Sequence, residues 1–171
     1  MPDVTDQLDR GGSCGLCGRS AAAHERDPQF LLPDRIAMLP DREHTPGIAL
    51  TGDSAEDSVL IKTGHEGFMR ATLPARLTGG LALRYSLWVA ISPPDLERVF
   101  QAWMEPAYAD LQLTGTLANA IPPWGLLDAV VELAVRDPDE LPVCVGSPDP
   151  ELRRVLTEDF DHDFVLGAVG L

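Results

Sequence analysis

Apolar and polar side chains alternate through the middle of this chain. Between positions 81 and 91, every second residue is apolar: Leu81, Leu83, Tyr85, Leu87, Val89 and Ile91. Alternate side chains of a strand lie on the same face of a sheet. The pattern therefore predicts one long strand with a buried face, and it predicts that Arg84, Ser86 and Trp88 share the opposite face.

Two shorter strands precede this one, and a helix follows it. Residues 58–63 and 67–73 are apolar runs separated by a glycine-containing turn, which is typical of a hairpin. Ser92, Pro93 and Asp95 then supply the start signals of a helix. Apolar residues recur at helical spacing, and we expect this face to pack on the sheet: Leu96, Val99, Phe100, Trp103 and Met104.

The remaining segments are less regular. Residues 40–57 are rich in turn formers and predict a loop, residues 111–121 are ambiguous between strand and loop, and residues 126–130 predict a short helix. Residues 132–136 and 141–146 flank a turn at 137–140 and predict a second hairpin, with a last helix starting near 147–150. Since strands come mainly in hairpins, we expect an α+β fold, with a mainly antiparallel sheet and helices packed on one side.

The domain organisation follows from length and from the first residues. A chain of 171 residues fits one domain. Residues 1–13 are polar and end in a glycine pair, which predicts a flexible lead-in. We therefore expect a single α+β domain over residues 14–171, with a short cysteine knuckle at 14–27.

The cysteine knuckle is a candidate metal site. Cys14 and Cys17 are separated by two residues, Gly18 follows them, and His24 lies six residues beyond the second cysteine. This spacing suits a tetrahedral zinc ion, which needs four ligands. Candidates for the fourth ligand are Cys144, His44, His65, His162 and Asp27. A redox pair, or two thiols without a role, remain alternatives.

The net charge of the chain limits the kinds of molecule that we expect it to bind. The chain has 27 acidic and 13 basic residues, a formal net charge of -14. Such a chain repels phosphate backbones and anionic lipids, so we expect no nucleic-acid or membrane partner. No apolar run approaches the roughly 20 residues of a membrane helix, and no secretory signal is visible. We expect a cytoplasmic protein that binds another protein, with a basic one the best match to the charge.

Two further groups of residues could bind a ligand or partner. If a neighbouring strand brings Arg70 beside Arg84 and Trp88, two guanidinium groups and an indole could hold a carboxylate or phosphate. The alternative is that both arginines form ion pairs with carboxylates and that a helix or loop covers Trp88. Trp124 follows two prolines and could anchor a partner, or it could fill the core beside the turn.

The order of these motifs resembles one bacterial family. Cys14-x-x-Cys17-Gly18 is followed by Phe68-Met69-Arg70, then by the sequence WVAIS at 88–92 leading into the 95–103 helix, then by PPWGLL at 122–127. This chain is similar in these blocks to the uncharacterised bacterial proteins called domain of unknown function 2199. The resemblance implies a shared fold and a bacterial origin, and it brings no activity with it.

Two functions from different classes follow. The leading hypothesis is a non-enzymatic protein-binding or accessory domain with an acidic surface. The alternative is a small enzyme that binds an anionic small molecule in a pocket near Arg70, Arg84 and Trp88.

The zinc hypothesis predicts a metal content that can be measured directly. We expect purified chain to carry about one zinc per molecule, and the Cys14→Ser variant to lose it, because a closed site needs all four ligands. Atomic emission spectroscopy measures this, with Ser20→Ala as the control. Zinc-free wild-type protein would contradict the hypothesis.

Overall fold

The computed structural model describes residues 28–38, 49–50, 58–63 and 66–169, and these contain helices and one sheet. The strands are β1 (Ala49–Leu50), β2 (Leu60–Lys62), β3 (Gly67–Leu77), β4 (Leu81–Ile91), β5 (Gln112–Leu117), β6 (Val130–Ala134), β7 (Val143–Gly146) and β8 (Asp159–Phe160). The helices are α1 (Asp34–Ala37), α2 (Pro93–Ala102), α3 (Pro150–Thr157) and α4 (His162–Ala168), with a 3-10 helix at Pro106–Asp110. The chain is therefore α+β.

The centre of the sheet is the hairpin of β3 and β4. The two strands pair in antiparallel register over their full length, from Gly67 opposite Ile91 to Leu77 opposite Leu81. The odd positions of β4 from 83 to 91 are all buried, as are the odd positions of β3. The strand predicted from alternation is confirmed, and so is the hairpin of β2 with β3.

The sheet closes on itself because β3 uses two edges. One edge pairs with β4, and the other pairs with β2 at 67–69, with β7 at Thr72 and with β8 at 76–77. The order β3-β4-β5-β6-β7 therefore returns to β3, and the Thr72 N–H donates to the Pro142 carbonyl at 2.9 Å across the closure. The expected sheet with helices on one side does not describe this arrangement, since a five-stranded barrel encloses its core.

Apolar side chains fill the barrel. In a barrel this small, inward-facing side chains leave no channel. Buried contributors from the five strands include Met69, Leu73, Leu83, Tyr85, Leu87, Leu113, Leu117, Val131, Leu133 and Cys144. A second, smaller cluster covers the outer face of β3 and β4 and consists of Leu32, Ile36, Ile61, Phe68, Trp88 and Ala118.

Helix α2 begins where the sequence predicts. The Ser92 hydroxyl accepts a hydrogen bond from the Asp95 N–H at 3.2 Å, and Pro93 occupies the first helical position. None of the helices in the described ranges is long and apolar enough to cross a membrane.

The expected packing of the whole apolar face of α2 is wrong. Leu96, Val99 and Ala102 are buried, whereas Phe100 is 66% exposed and Met104 is 89% exposed. The buried residues are spaced by three and centred on Val99, and Phe100 lies about 100° around the helix axis from that centre, outside the buried stripe. The helix also ends at Ala102, before Met104 could complete that stripe.

Local predictions elsewhere were met in part. The second hairpin is confirmed as β6 with β7, the residues left ambiguous at 111–121 contain β5, and Asp149 caps α3. The short helix predicted at 126–130 is wrong, because Leu126 and Asp128 have φ of 69° and Val130 begins β6. Residues 49–50, expected within a loop, pair with β2. The predicted lead-in and cysteine knuckle lie outside the described residues.

Gly115 marks a close approach between β5 and β4. A Cβ atom there would overlap the Ala90 carbonyl oxygen and lie 2.7 Å from Val89 Cγ1. We expect Gly115→Ala to lower the free energy of unfolding by about 2–3 kcal/mol, because the two strands would have to separate. Urea denaturation measures this effect.

Gly80→Ala is the matched control. Gly80 has a φ of 76° and open space around it, so a Cβ costs only backbone strain, about 1 kcal/mol. Equal losses in the two variants would show that β4 and β5 are less tightly apposed than described.

Candidate functional site

The chain leaves α2 with an exposed methionine. Met104 follows the helix with a φ of 67°, in the left-handed region, and its side chain is 89% exposed. The preceding Trp103 is half-buried and packs edge to face on Tyr108, with ring centroids 5.2 Å apart. This segment therefore places two aromatic rings and a thioether at one edge of the fold.

Tyr108 ties this segment to the 137–140 turn. Its hydroxyl donates to the Glu140 carbonyl at 2.9 Å, and burial raises the pKa of Tyr108, so the donor keeps its proton. In the turn itself, Asp137 Oδ1 accepts from the Asp139 N–H at 2.9 Å. Two segments about thirty residues apart in the chain thus form one surface.

A groove of about 610 Å³ runs between these two segments. We call it the Met104 groove. Its lining residues are Val59, Trp103, Met104, Glu105, Pro106, Tyr108, Pro138, Asp139, Glu140 and Leu141. The lining combines aromatic, aliphatic and proline side chains with three carboxylates, and none of its described residues is basic. Its size falls within the range of ligand-binding clefts.

The three groove carboxylates have no ion-pair partner within the described ranges. The described ion pairs join Arg35 to Glu66 and Asp128, Arg76 to Asp159, Arg98 to Asp95, and Arg154 to Glu158. Glu105, Asp139 and Glu140 take part in none of them. Their negative charge is therefore not neutralised by any basic side chain in the described part of the chain.

A second, smaller pocket lies beside α1. It has a volume of about 100 Å³, and Phe68, Ala90, Ala118 and Leu127 form most of its apolar lining. The Arg35 guanidinium on its rim pairs with Glu66 and lies 3.8 Å from Asp128. The third carboxylate at this pocket, Asp34, accepts hydrogen bonds from the Asn119 side chain and the Ala120 N–H, so each carboxylate here has a partner among the described residues.

Arg70 and Trp88 are brought together, as the strand geometry anticipates. They are directly opposite in the β3–β4 pair, and the guanidinium carbon lies 4.5 Å from the centroid of the indole ring. Trp88 is fully buried and Arg70 is 5% exposed, because residues 28–38 cover this face. Arg84, four residue pairs further along the strands, is exposed and outside this stack.

The guanidinium of Arg70 is occupied by the main chain. Its Nε donates to the Ser58 carbonyl at 2.8 Å, Nη1 to Phe30 at 2.9 Å and Nη2 to Leu31 at 3.0 Å. The Trp88 indole N–H also donates to the Leu31 carbonyl, at 3.2 Å. The bonds to Phe30 and Leu31 attach residues 28–38 to the barrel, and the bond to Ser58 attaches the residues just before β2. The guanidinium of Arg70 therefore has a structural role.

Asn119 is a second anchor that the sequence analysis missed. It is fully buried, its Oδ1 accepts from the Trp88 N–H at 2.8 Å, and its Nδ2 donates to the Leu32 carbonyl at 2.9 Å. Its amide also donates to Asp34 Oδ1 at 2.9 Å. A lone asparagine between two alanines carries no sequence signal for such a role, because its partners are distant in the chain.

Trp124 packs at one end of the barrel. Its ring meets Phe160 edge to face at 5.0 Å and Tyr85 at 6.2 Å, and it is half-buried. Its indole nitrogen is buried without a hydrogen-bond partner in the part of the chain that the structure describes. The Tyr85 hydroxyl donates to the nearby Pro122 carbonyl at 3.0 Å.

The candidate zinc ligands Cys14, Cys17 and His24 lie outside the described residues. Within the described ranges, no group of three or more histidine, cysteine, aspartate or glutamate side chains could hold a metal ion. Cys144 is buried inside the barrel, and burial raises its pKa to about 12, so its thiol stays protonated. The zinc hypothesis stays a prediction.

Comparison with known proteins gives one match. A family model described as an uncharacterised protein conserved in bacteria matches residues 13–160 of this chain. No curated protein and no solved structure matches it.

The contacts of Arg70 predict a large loss of stability when its shape is changed. We expect Arg70→Lys to lower the free energy of unfolding by about 2–4 kcal/mol, because an ammonium group cannot reach three carbonyls that lie in different directions. Urea denaturation measures this, and Arg84→Lys, on the exposed part of β4, should change stability by less than about 0.5 kcal/mol.

An anion site at Arg70 would give a different result. Arg70→Lys would then leave stability nearly unchanged, and inorganic phosphate would raise the melting temperature of the wild-type chain but not that of the variant.

Proposed function

This chain belongs to the bacterial family of uncharacterised proteins called domain of unknown function 2199, and we propose that it is a non-enzymatic protein-binding domain whose acidic surface binds a basic protein. The observation that carries the proposal is the Met104 groove, where exposed apolar side chains adjoin carboxylates that form no ion pair within the described residues.

The charge of the chain supports a basic partner. The formal net charge is -14, and carboxylates outnumber basic side chains among the exposed described residues. A field of this sign speeds the approach of a positively charged protein and slows that of nucleic acids and anionic membranes. Nucleic acid and membrane are therefore not part of the proposal.

The composition of the groove supports a protein rather than a small ligand. Protein interfaces have apolar and aromatic residues at the centre and polar residues at the rim. Trp103, Tyr108 and Met104 supply the first kind of surface, and Glu105, Asp139 and Glu140 supply the second. A metabolite pocket would instead enclose its ligand almost completely.

The competing hypothesis of an anion-binding enzyme gains no support from the contacts of Arg70. All three guanidinium nitrogens donate to main-chain carbonyls, and the side chain is 5% exposed. An anion could reach it only after residues 28–38 had been displaced.

Selection from a random peptide library tests the proposed function. We expect immobilised chain to enrich peptides with a net positive charge, because these complement the unpaired carboxylates. Affinity of the enriched peptides, measured by calorimetry, should fall about tenfold between roughly 50 and 300 mM NaCl, since salt screens such contacts.

The same library supplies the control. A chain in which Glu105, Asp139 and Glu140 are all changed to Gln or Asn should lose most of this enrichment. Enrichment of acidic peptides, enrichment of none, or binding that is indifferent to salt would overturn the proposal.

A further inference from the structure

We propose that the partner docks in the Met104 groove through a segment that carries one large apolar side chain flanked by lysine or arginine. This inference rests on the proposed function and adds to it the chemistry of the segment that enters the groove. Its occupant is a basic protein chain, not a second copy of this one.

The backbone at Met104 supports a role for its side chain. A non-glycine residue with a φ of 67° pays a conformational cost that glycine does not, and exposed methionine gains no packing in the free chain to offset it. Residues held in sparsely populated backbone conformations cluster at active sites, ligand clamps and switch regions. Methionine is also a frequent contact residue at binding surfaces, because its thioether side chain adapts to different partners.

The shape of the groove suits a single inserted side chain. Trp103 and Tyr108 are locked edge to face, and the Tyr108 hydroxyl is fixed on the Glu140 carbonyl, so one wall is preorganised. Flexible Met104 stands beside this rigid aromatic pair. Interface anchors are large side chains that fill such pockets and exclude water from them.

The carboxylates at the groove favour basic residues in the partner segment, next to its apolar anchor. Glu105 lies beside Met104, and Asp139 and Glu140 lie across the groove on the turn. No ion pair within the described ranges engages them, so a lysine or arginine on either side of the anchor would find a partner. A second copy of this chain would bring another net charge of -14 toward the same carboxylates, which disfavours self-association.

The small pocket beside α1 shares only one of these features with the Met104 groove. It also has an exposed methionine, Met38, at 83% exposure. Its acidic neighbours Glu66 and Asp128 are already close to Arg35, however. Met38 is therefore the natural control for Met104.

Nuclear magnetic resonance of the methionine methyl groups tests the proposal. The chain has four methionines, Met1, Met38, Met69 and Met104, of which Met69 is fully buried in the barrel. The protein is labelled with ¹³C at these methyl groups. Three synthetic peptides of equal length are then titrated: lysine-rich with one central tryptophan, lysine-rich with serine in its place, and glutamate-rich with the tryptophan.

We expect the lysine-rich peptide with tryptophan to bind tightest and to shift the Met104 methyl signal, with Met38 and Met69 unchanged. Replacing its tryptophan by serine should weaken binding about tenfold, and the glutamate-rich peptide should not bind. A shift centred on Met38 would overturn the proposed location, and binding of both lysine-rich peptides with equal affinity would overturn the anchor.

Substitutions in the groove separate binding from stability. Met104→Gly should weaken the lysine-tryptophan peptide about tenfold while leaving the urea midpoint as high as in the wild type, because glycine accepts the left-handed conformation without strain. Met38→Gly should leave affinity unchanged. Full affinity of Met104→Gly would contradict the proposal.

The outcomes distinguish this inference from the function on which it rests. If both lysine-rich peptides bind with salt-dependent affinity but Met104 does not respond, the acidic binding function stands and the groove is the wrong place. If no lysine-rich peptide binds at all, both the proposed function and the docking site fail.

Discussion

The structure depends on the pairing of one long strand, β3, along both of its edges. Eleven residues of β3 pair with β4 on one side, and the same strand pairs in turn with β2, β7 and β8 on the other. Because β7 reaches β3 at Thr72, the sheet becomes a barrel with one enclosed core. The odd side chains of β3 and β4 therefore share a single interior, and the even ones face outward.

Outward-facing side chains would be exposed on this barrel if nothing covered them. Residues 28–38 cover Arg70 and Trp88. Because a buried guanidinium needs a hydrogen-bond acceptor for each nitrogen, Arg70 fixes where the covering main chain lies. Three carbonyls and the aromatic ring meet that need. Arg70 and Trp88, which in the sequence resemble an anion-binding site, therefore attach residues 28–38 to the barrel.

The distribution of ion pairs distinguishes the Met104 groove from the small pocket beside α1. Arginines near α1, α2, α3 and β8 have carboxylate partners, whereas the carboxylates at the Met104 groove have none within the described residues. Exposed apolar surface of this kind often marks a binding site, and solvated carboxylates beside it can pair with the basic side chains of a complementary chain that covers it. This contrast, more than the size of the groove, is why we propose binding there.

The sequence by itself determined the elements whose signal is local. Alternation at 83–91 defined β4, Ser92 with Pro93 and Asp95 defined the start of α2, and the turn at 137–140 defined the β6–β7 hairpin. Each signal depends only on neighbours within a few positions, so it can be read before the chain folds. Only the tertiary structure decided the closure of the barrel, the burial of Arg70 and the exposure of Phe100 and Met104. These features depend on which distant segment covers a given face. Periodicity indicates that a face is apolar, but it does not indicate which segment packs against that face.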